Sequence, residues 1–109
     1  MKALMLSAVL LVLGPALATA GEIYGTIKEA GKPVTEGLKV EVTCAGTTAA
    51  TVTDKFGAYR VFAQDEGKCT LALSIGDQKP SIEIHSFEDS ARYNLLLEKK
   101  GDTYELRSE

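Results

Sequence analysis

The sequence predicts an all-β fold, an antiparallel β-sandwich of seven or eight strands that follows a cleaved signal peptide. Two observations carry the sandwich. Short runs in which apolar and polar residues alternate recur from residue 22 to residue 107, and a period of two belongs to strands. Turn-forming groups separate these runs at regular intervals, among them Ala30-Gly31-Lys32-Pro33, Asp54-Lys55-Phe56-Gly57 and Lys100-Gly101-Asp102. A third observation carries the leader. Met1-Lys2 supply a positive start, residues 3–13 are an apolar run, Gly14-Pro15 break it, and Ala18-Thr19-Ala20 form an A-x-A cleavage pattern.

The apolar run is well short of the roughly 20 residues that a spanning helix needs. Position 21 is Gly rather than the cysteine that lipid attachment requires. The sequence therefore divides into a signal peptide, residues 1–20, and one domain, residues 21–109, expected to be periplasmic or secreted. A domain of 109 − 20 = 89 residues buries only roughly 60–65% of its unfolded surface. A covalent staple would help a core of that size. Without Lys2 the domain has 11 basic against 15 acidic residues, a net charge of −4. The signs alternate along the chain and form no basic stripe, which argues against nucleic acid or anionic lipid as a partner.

The elements follow in order. Residues 22–29 form the first strand, with Ile23, Gly25 and Ile27 on one face. Pro33 has no N–H and prevents a central strand from running through the next turn. Residues 38–45 form the second strand, and Gly46-Thr47-Thr48 turn the chain into the third, 49–53. The β-branched Thr51, Val52 and Thr53 then lead into the central turn. There Asp54 can accept a bond from an N–H two residues on, and Gly57 can take positive φ. The fourth strand, 58–63, sets Tyr59, Val61 and Ala63 on one face and Arg60 and Phe62 on the other. Residues 68–75, 81–85, 92–99 and 103–107 complete the set. Leu95, Leu96 and Leu97 are consecutive, so their strand is expected to be covered on both faces. Phe87 stands alone in a polar link and is expected to cap an open end of the core. A helix over 88–99 is the alternative there, although no cap with helical periodicity marks one.

Cys44 and Cys69 are the only cysteines. An even count in an oxidising compartment favours a disulfide. Cys44 is in phase with Val40 and Val42, and Cys69 with Leu71, Leu73 and Ile75, so both point inward. Their bridge would close a loop of 69 − 44 = 25 positions, worth roughly 3–3.5 kcal/mol in the loop-entropy model. Two separate buried thiols are the competing reading. A metal site is disfavoured, because two Cys and one His without close spacing fall short of four ligands.

With the strands placed, several motifs coincide: Gly25-Thr26-Ile27, then Gly31-Lys32-Pro33-Val34 and Gly37, then Val40-Glu41-Val42. Thr53-Asp54-Lys55-Phe56-Gly57-Ala58-Tyr59 and Gly67-Lys68-Cys69-Thr70-Leu71 complete the pattern. Over roughly residues 22–75 it resembles the carboxypeptidase regulatory-like domain, an Ig-like/transthyretin-like (prealbumin-like) β-sandwich. Cys69 stands where that family usually has tyrosine. The resemblance implies the fold and a stand-alone spacing or interaction module, and it assigns no ligand.

The chemistry of catalysis is sparse. His85 is the only histidine, and hydrolytic triads need one beside a nucleophile and an acid. The transthyretin-like fold also houses a hydrolase of hydroxyisourate with several histidines and a Tyr-Arg-Gly-Ser end. This chain has neither feature and ends Tyr104-Glu105-Leu106-Arg107-Ser108-Glu109. Adjacent Glu88 and Asp89, like Asp65 and Glu66, would point to opposite faces of a strand. A related adhesin module welds lysine to asparagine. Lys28 and Asn94 are the only candidates, and residues 69–75 supply no glutamate to promote the step. Tyr24 and Phe62 are the aromatics that point outward, and they form the candidate contact surface.

The expectation is therefore a small exported, non-catalytic module without cofactor that acts through protein or ligand contacts. Its partner would be a protein or a glycan, with no nucleic acid and no stable membrane insertion. The alternative is a carbohydrate or cell-envelope binding module using Tyr24 and Phe62. A transthyretin-like hydrolase comes third.

Overall fold

The computed structural model describes residues 21–109, so the signal peptide expected over residues 1–20 lies outside the described residues. The strands are β1 (Gly21–Glu29), β2 (Lys32–Pro33), β3 (Lys39–Cys44), β4 (Thr47–Val52), β5 (Ala58–Ala63), β6 (Gly67–Leu73), β7 (Ser81–Ser86), β8 (Ala91–Arg92), β9 (Leu95–Lys100) and β10 (Thr103–Ser108). They form two sheets. One has the order β4-β3-β6-β7, all antiparallel. The other runs β10-β9-β1-β2, with β5 and β8 also paired to β1.

β1 organises the second sheet because it is long enough to take partners along both edges. One edge pairs antiparallel with β5 and then with β2. The other pairs with β8 and β9, both parallel, because the chain crosses over from β7 before returning beside β1. Tyr93 and Asn94 join β8 to β9 without a change of register against β1, which sets Tyr93 beside Gly25 and Asn94 beside Thr26. The Tyr93 N–H donates to the Tyr24 carbonyl at 2.8 Å. A Cβ on Gly25 would collide with the Tyr93 carbonyl oxygen, so the glycine permits this close approach.

The inward faces match the sequence parity. Ile23 and Ile27 of β1, Val40 and Val42 of β3, Leu71 and Leu73 of β6, and Leu95 and Leu97 of β9 are all buried in one core. Cys44 and Cys69 lie directly opposite each other on β3 and β6 and are joined by a disulfide within this core. Two tyrosines add bonds, Tyr59 across β1 within the larger sheet and Tyr93 between the two sheets. The buried Tyr59 phenol donates to the Tyr93 carbonyl at 2.7 Å. The Tyr93 hydroxyl accepts from the His85 N–H at 3.0 Å and donates to the His85 carbonyl at 2.9 Å.

The central turn is built as the sequence suggests, and with more. Asp54 Oδ1 accepts from the N–H groups of Phe56 (2.8 Å) and Ala58 (2.9 Å), and Gly57 has φ 74°. Thr53 is buried. Its hydroxyl donates to the Thr35 carbonyl at 2.7 Å and accepts from the Leu38 N–H at 3.0 Å, which pins the loop before β3.

Four expectations need correction. The β3–β4 hairpin turns on Ala45 (φ 49°) and Gly46 (φ 86°), not on Gly46-Thr47-Thr48. A two-residue turn of type I′ needs positive φ at both positions, and the β-branched Thr47 and Thr48 fit better in a strand paired with Cys44 and Thr43. Leu96 is half-buried, not covered, because it points away from the core that buries Leu95 and Leu97. Phe87 is 52% exposed and caps no core; its ring stacks on His85 instead, with centroids 6.3 Å apart. The 88–99 region holds β8, a two-residue link and most of β9, not a helix.

Candidate functional site

On the outer face of the larger sheet, strand pairing assembles a row that no single segment contains. Tyr24 lies opposite Arg60 of β5 on one side and Arg92 of β8 on the other. One step along, Thr26 faces Ala58 on one side, and Asn94 lies on its other side. One step the other way, Glu22 faces Phe62. Alternation makes all of these point away from the core.

The row opens into a cleft of about 580 Å³. Tyr24, Thr26, Arg60, Arg92 and Asn94 line it, together with Thr51 and Val52 of β4 and Asp54 of the turn. The two arginines differ in their partners. Arg60 Nε sits 2.7 Å from Glu22 Oε2, and the other oxygen of Glu22 accepts from the Ser90 hydroxyl. Arg92 has no carboxylate within 4.0 Å among the described residues and rests over the Tyr24 ring, 5.3 Å from its centre. That is a cation–π contact, which fixes a guanidinium while leaving its N–H donors unspent. Asn94 Oδ1 accepts from the Thr26 N–H (3.1 Å) and hydroxyl (3.3 Å). This orientation turns the Asn94 NH₂ group, two donors, away from the strand.

The cleft is therefore donor-rich and positively charged on one side, with an aromatic surface at its centre. It can hold an anionic or highly hydroxylated ligand. Among the described residues, its lining includes no histidine, cysteine or serine that could be paired into a nucleophile and base. His85 is exposed on β7, in the other sheet. No group of three or more His, Cys, Asp or Glu is placed to hold a metal, again among the described residues.

The sequence-derived candidates separate. Tyr24 is half-buried in the centre of the cleft, whereas Phe62 shares its face, is 53% exposed and lies outside the lining. Cys44 and Cys69 are structural, sealed in the core. Asn94 is held by Thr26, and Lys28 points out from β1 two residues along. Sequence reasoning missed Arg60, Arg92 and Asn94 as companions of Tyr24. Arg60 was visible as the outward neighbour of Phe62. Arg92 and Asn94 left no local signal, because only the parallel crossover brings them to β1.

Fold and cleft define the class: a transthyretin-like β-sandwich. No family model matches the sequence, and no curated protein matches it. Solved structures do match the fold. A 5-hydroxyisourate hydrolase of Klebsiella pneumoniae superposes with TM-score 0.56 at 18% identity, over 82% of this chain and 98% of the hydrolase. The TIE protein of Bacillus anthracis gives TM-score 0.59 at 15% identity, over 74% of this chain and 17% of that protein. A proposed carbohydrate-binding protein of Bacteroides uniformis gives TM-score 0.52 at 18% identity, over 81% of this chain and 53% of that one. The chain thus matches a small part of the TIE protein and about half of the Bacteroides protein. Identities this low bear on the fold alone. The matches support the transthyretin-like sandwich and do not single out the carboxypeptidase regulatory-like domain.

Proposed function

We propose that this chain is an exported, non-catalytic binding module whose cleft takes up an acidic glycan of the cell envelope or its surroundings. One observation carries the reading: the row Arg60–Tyr24–Arg92, with the unspent donors of Arg92 and Asn94 beside an aromatic ring. A guanidinium reads a carboxylate with two parallel bonds, and an aromatic face accepts the apolar face of a sugar. The leader read from the sequence supports export, and the disulfide and the lack of any long apolar helix among the described residues are compatible with it.

The test is calorimetric titration with a panel of acidic oligosaccharides and their neutral counterparts. Acidic members should bind preferentially. Arg92→Ala and Tyr24→Ala should each weaken binding by roughly tenfold, about 1.4 kcal/mol, while Phe62→Ala should leave it unchanged. Equal binding of neutral sugars, or no effect of Arg92→Ala, would overturn the reading.

A second reading is hydrolysis, favoured by the match along 98% of the hydroxyisourate hydrolase. Spectrophotometric turnover of 5-hydroxyisourate, lost in Arg60→Ala and Arg92→Ala, would replace binding by catalysis.

A further inference from the structure

The charges around the cleft do not act alike. Arg60, Arg92 and Asp54 are the charged residues of its lining, and the two arginines flank Tyr24 from opposite sides. Glu22 is the outward neighbour of Tyr24 along β1. Its carboxylate is held from two segments. Oε2 lies 2.7 Å from Arg60 Nε of β5, and Oε1 accepts from the hydroxyl of Ser90, in the link before β8. The Glu22 side chain is only 23% exposed. Two partners on different segments fix its position, so the charge of Arg60 is offset by a neighbour that does not swing away. Arg92 has no such neighbour and keeps its charge for the cleft.

A second carboxylate closes the other end. Asp54 Oδ1 accepts from the N–H groups of Phe56 and Ala58, which holds the side chain in place. Ala58 lies opposite Thr26, so Asp54 stands at the Thr26 end of the row and Glu22 beyond the Tyr24 end. One uncompensated guanidinium thus sits between two fixed carboxylates. A first anionic group finds a partner in Arg92. A second one beside it finds an arginine already paired, or a like charge, and repulsion of the wrong ligand is a source of specificity.

We infer that Glu22, by engaging Arg60, is a specificity-determining residue that restricts the cleft to glycans presenting one anionic group at a time. The ligand class is then a hexuronate set between neutral sugars, and a glycan with a sulfate on the unit next to the uronate is rejected. This inference rests on the acidic-glycan reading above and narrows it. Ser90 acts through Glu22 as a positioning residue, since its hydroxyl holds the carboxylate oxygen that Arg60 does not take.

The experiment is calorimetric titration of protein expressed from the full-length sequence with three oligosaccharides of one length. The first is neutral, the second carries a single hexuronate, and the third carries that hexuronate and a sulfate on the adjoining unit. Wild type should bind the second about tenfold more tightly than the third. Glu22→Gln keeps the shape and an acceptor for Ser90 but removes the charge, and it should move the ratio of the two affinities about tenfold toward the sulfated form. Adding Arg60→Gln to that variant should cancel the shift, because the released guanidinium is what takes the second anion. A folding defect would weaken all ligands together and leave the ratio unmoved. A wild type that prefers the sulfated form would overturn the inference. So would a ratio unchanged in Glu22→Gln, or a shift that survives Arg60→Gln. If the single hexuronate binds and the ratio ignores Glu22, this inference alone fails. If neither acidic form binds better than the neutral one, the acidic-glycan reading fails and takes the inference with it.

Discussion

Removing the Cys44–Cys69 bridge should cost this domain a large part of its stability. The linked residues are 25 positions apart. The loop-entropy relation gives about −12 cal/mol/K for a loop of that length, or about 3.5 kcal/mol at 25 °C. Both sulfurs are buried, so replacing the pair with alanine also leaves a small void, worth on the order of 1–2 kcal/mol more. A domain of this size has a total stability of about 4–13 kcal/mol. The double variant Cys44→Ala/Cys69→Ala therefore approaches the unfolding threshold. Urea titration followed by far-UV circular dichroism would compare three samples: oxidised wild type, reduced wild type and the double variant. The reduced chain should lie about 3.5 kcal/mol below the oxidised one, and the double variant should lie lower still. A double variant within about 1 kcal/mol of the oxidised protein would refute both the loop argument and the placement of the bridge in a packed core.

Leu71 is fully buried beside that bridge, and Leu71→Ala should cost about 2–5 kcal/mol in the same titration. Gly25→Ala should cost about 1–3 kcal/mol through its collision with the Tyr93 carbonyl, and the displaced backbone should show in the amide shifts of residues 92–94. Burial, followed by the influence of Tyr93, pushes the Tyr59 phenol well above its ordinary 10. A raised folded-state value means that the stabilisation is complete below the unfolded value and is lost as pH rises past it. The midpoint of thermal unfolding should therefore fall above about pH 10, and less steeply in Tyr59→Phe, which itself loses about 1 kcal/mol at neutral pH with its hydrogen bond. Lys79, then Lys39, hold the Glu41 carboxyl below its usual 4.5, so the stabilisation from this group is present above that pH and is lost on acidification. A carboxyl chemical-shift titration of Glu41 checks the direction.

Parity along one strand was the readable part of this sequence. Val40, Val42 and Cys44, and then Cys69, Leu71 and Leu73, alternate with Glu41, Thr43, Thr70 and the small Ala72, and that alternation sends both sulfurs to the core. The D-x-x-G turn was equally legible, because Asp54 and Gly57 act on backbone groups two to four residues away. What failed was whatever depends on a neighbour's identity. Thr47 and Thr48 resemble turn residues until their partners Cys44 and Thr43 are known. Leu96 looks like core until the open face of β9 is seen. Phe87 looks like a lid only while its position relative to the sheets is unknown.

The candidate site lies wholly in that second category. Arg60, Tyr24 and Arg92 are separated by 36 and 68 positions along the chain (60 − 24 and 92 − 24), yet they are lateral neighbours across β5, β1 and β8. The outward parity of Tyr24 was visible, and so was that of Phe62, and the sequence ranks the two alike. Pairing separates them. β8 runs parallel to β1 for only two residues, and it places a guanidinium over one aromatic ring and leaves the other in solvent. The same pairing aims Asn94 at Thr26 and frees its amide donors. Local alternation thus decides which side chains face outward, and the crossover decides which of them meet. Inserting one residue between Tyr93 and Asn94 would slip β8 against β1 and flip its outward set. Arg92 would then leave the Tyr24 ring, and ligand binding should fall while the core, whose parity is set by the other strands, stays folded.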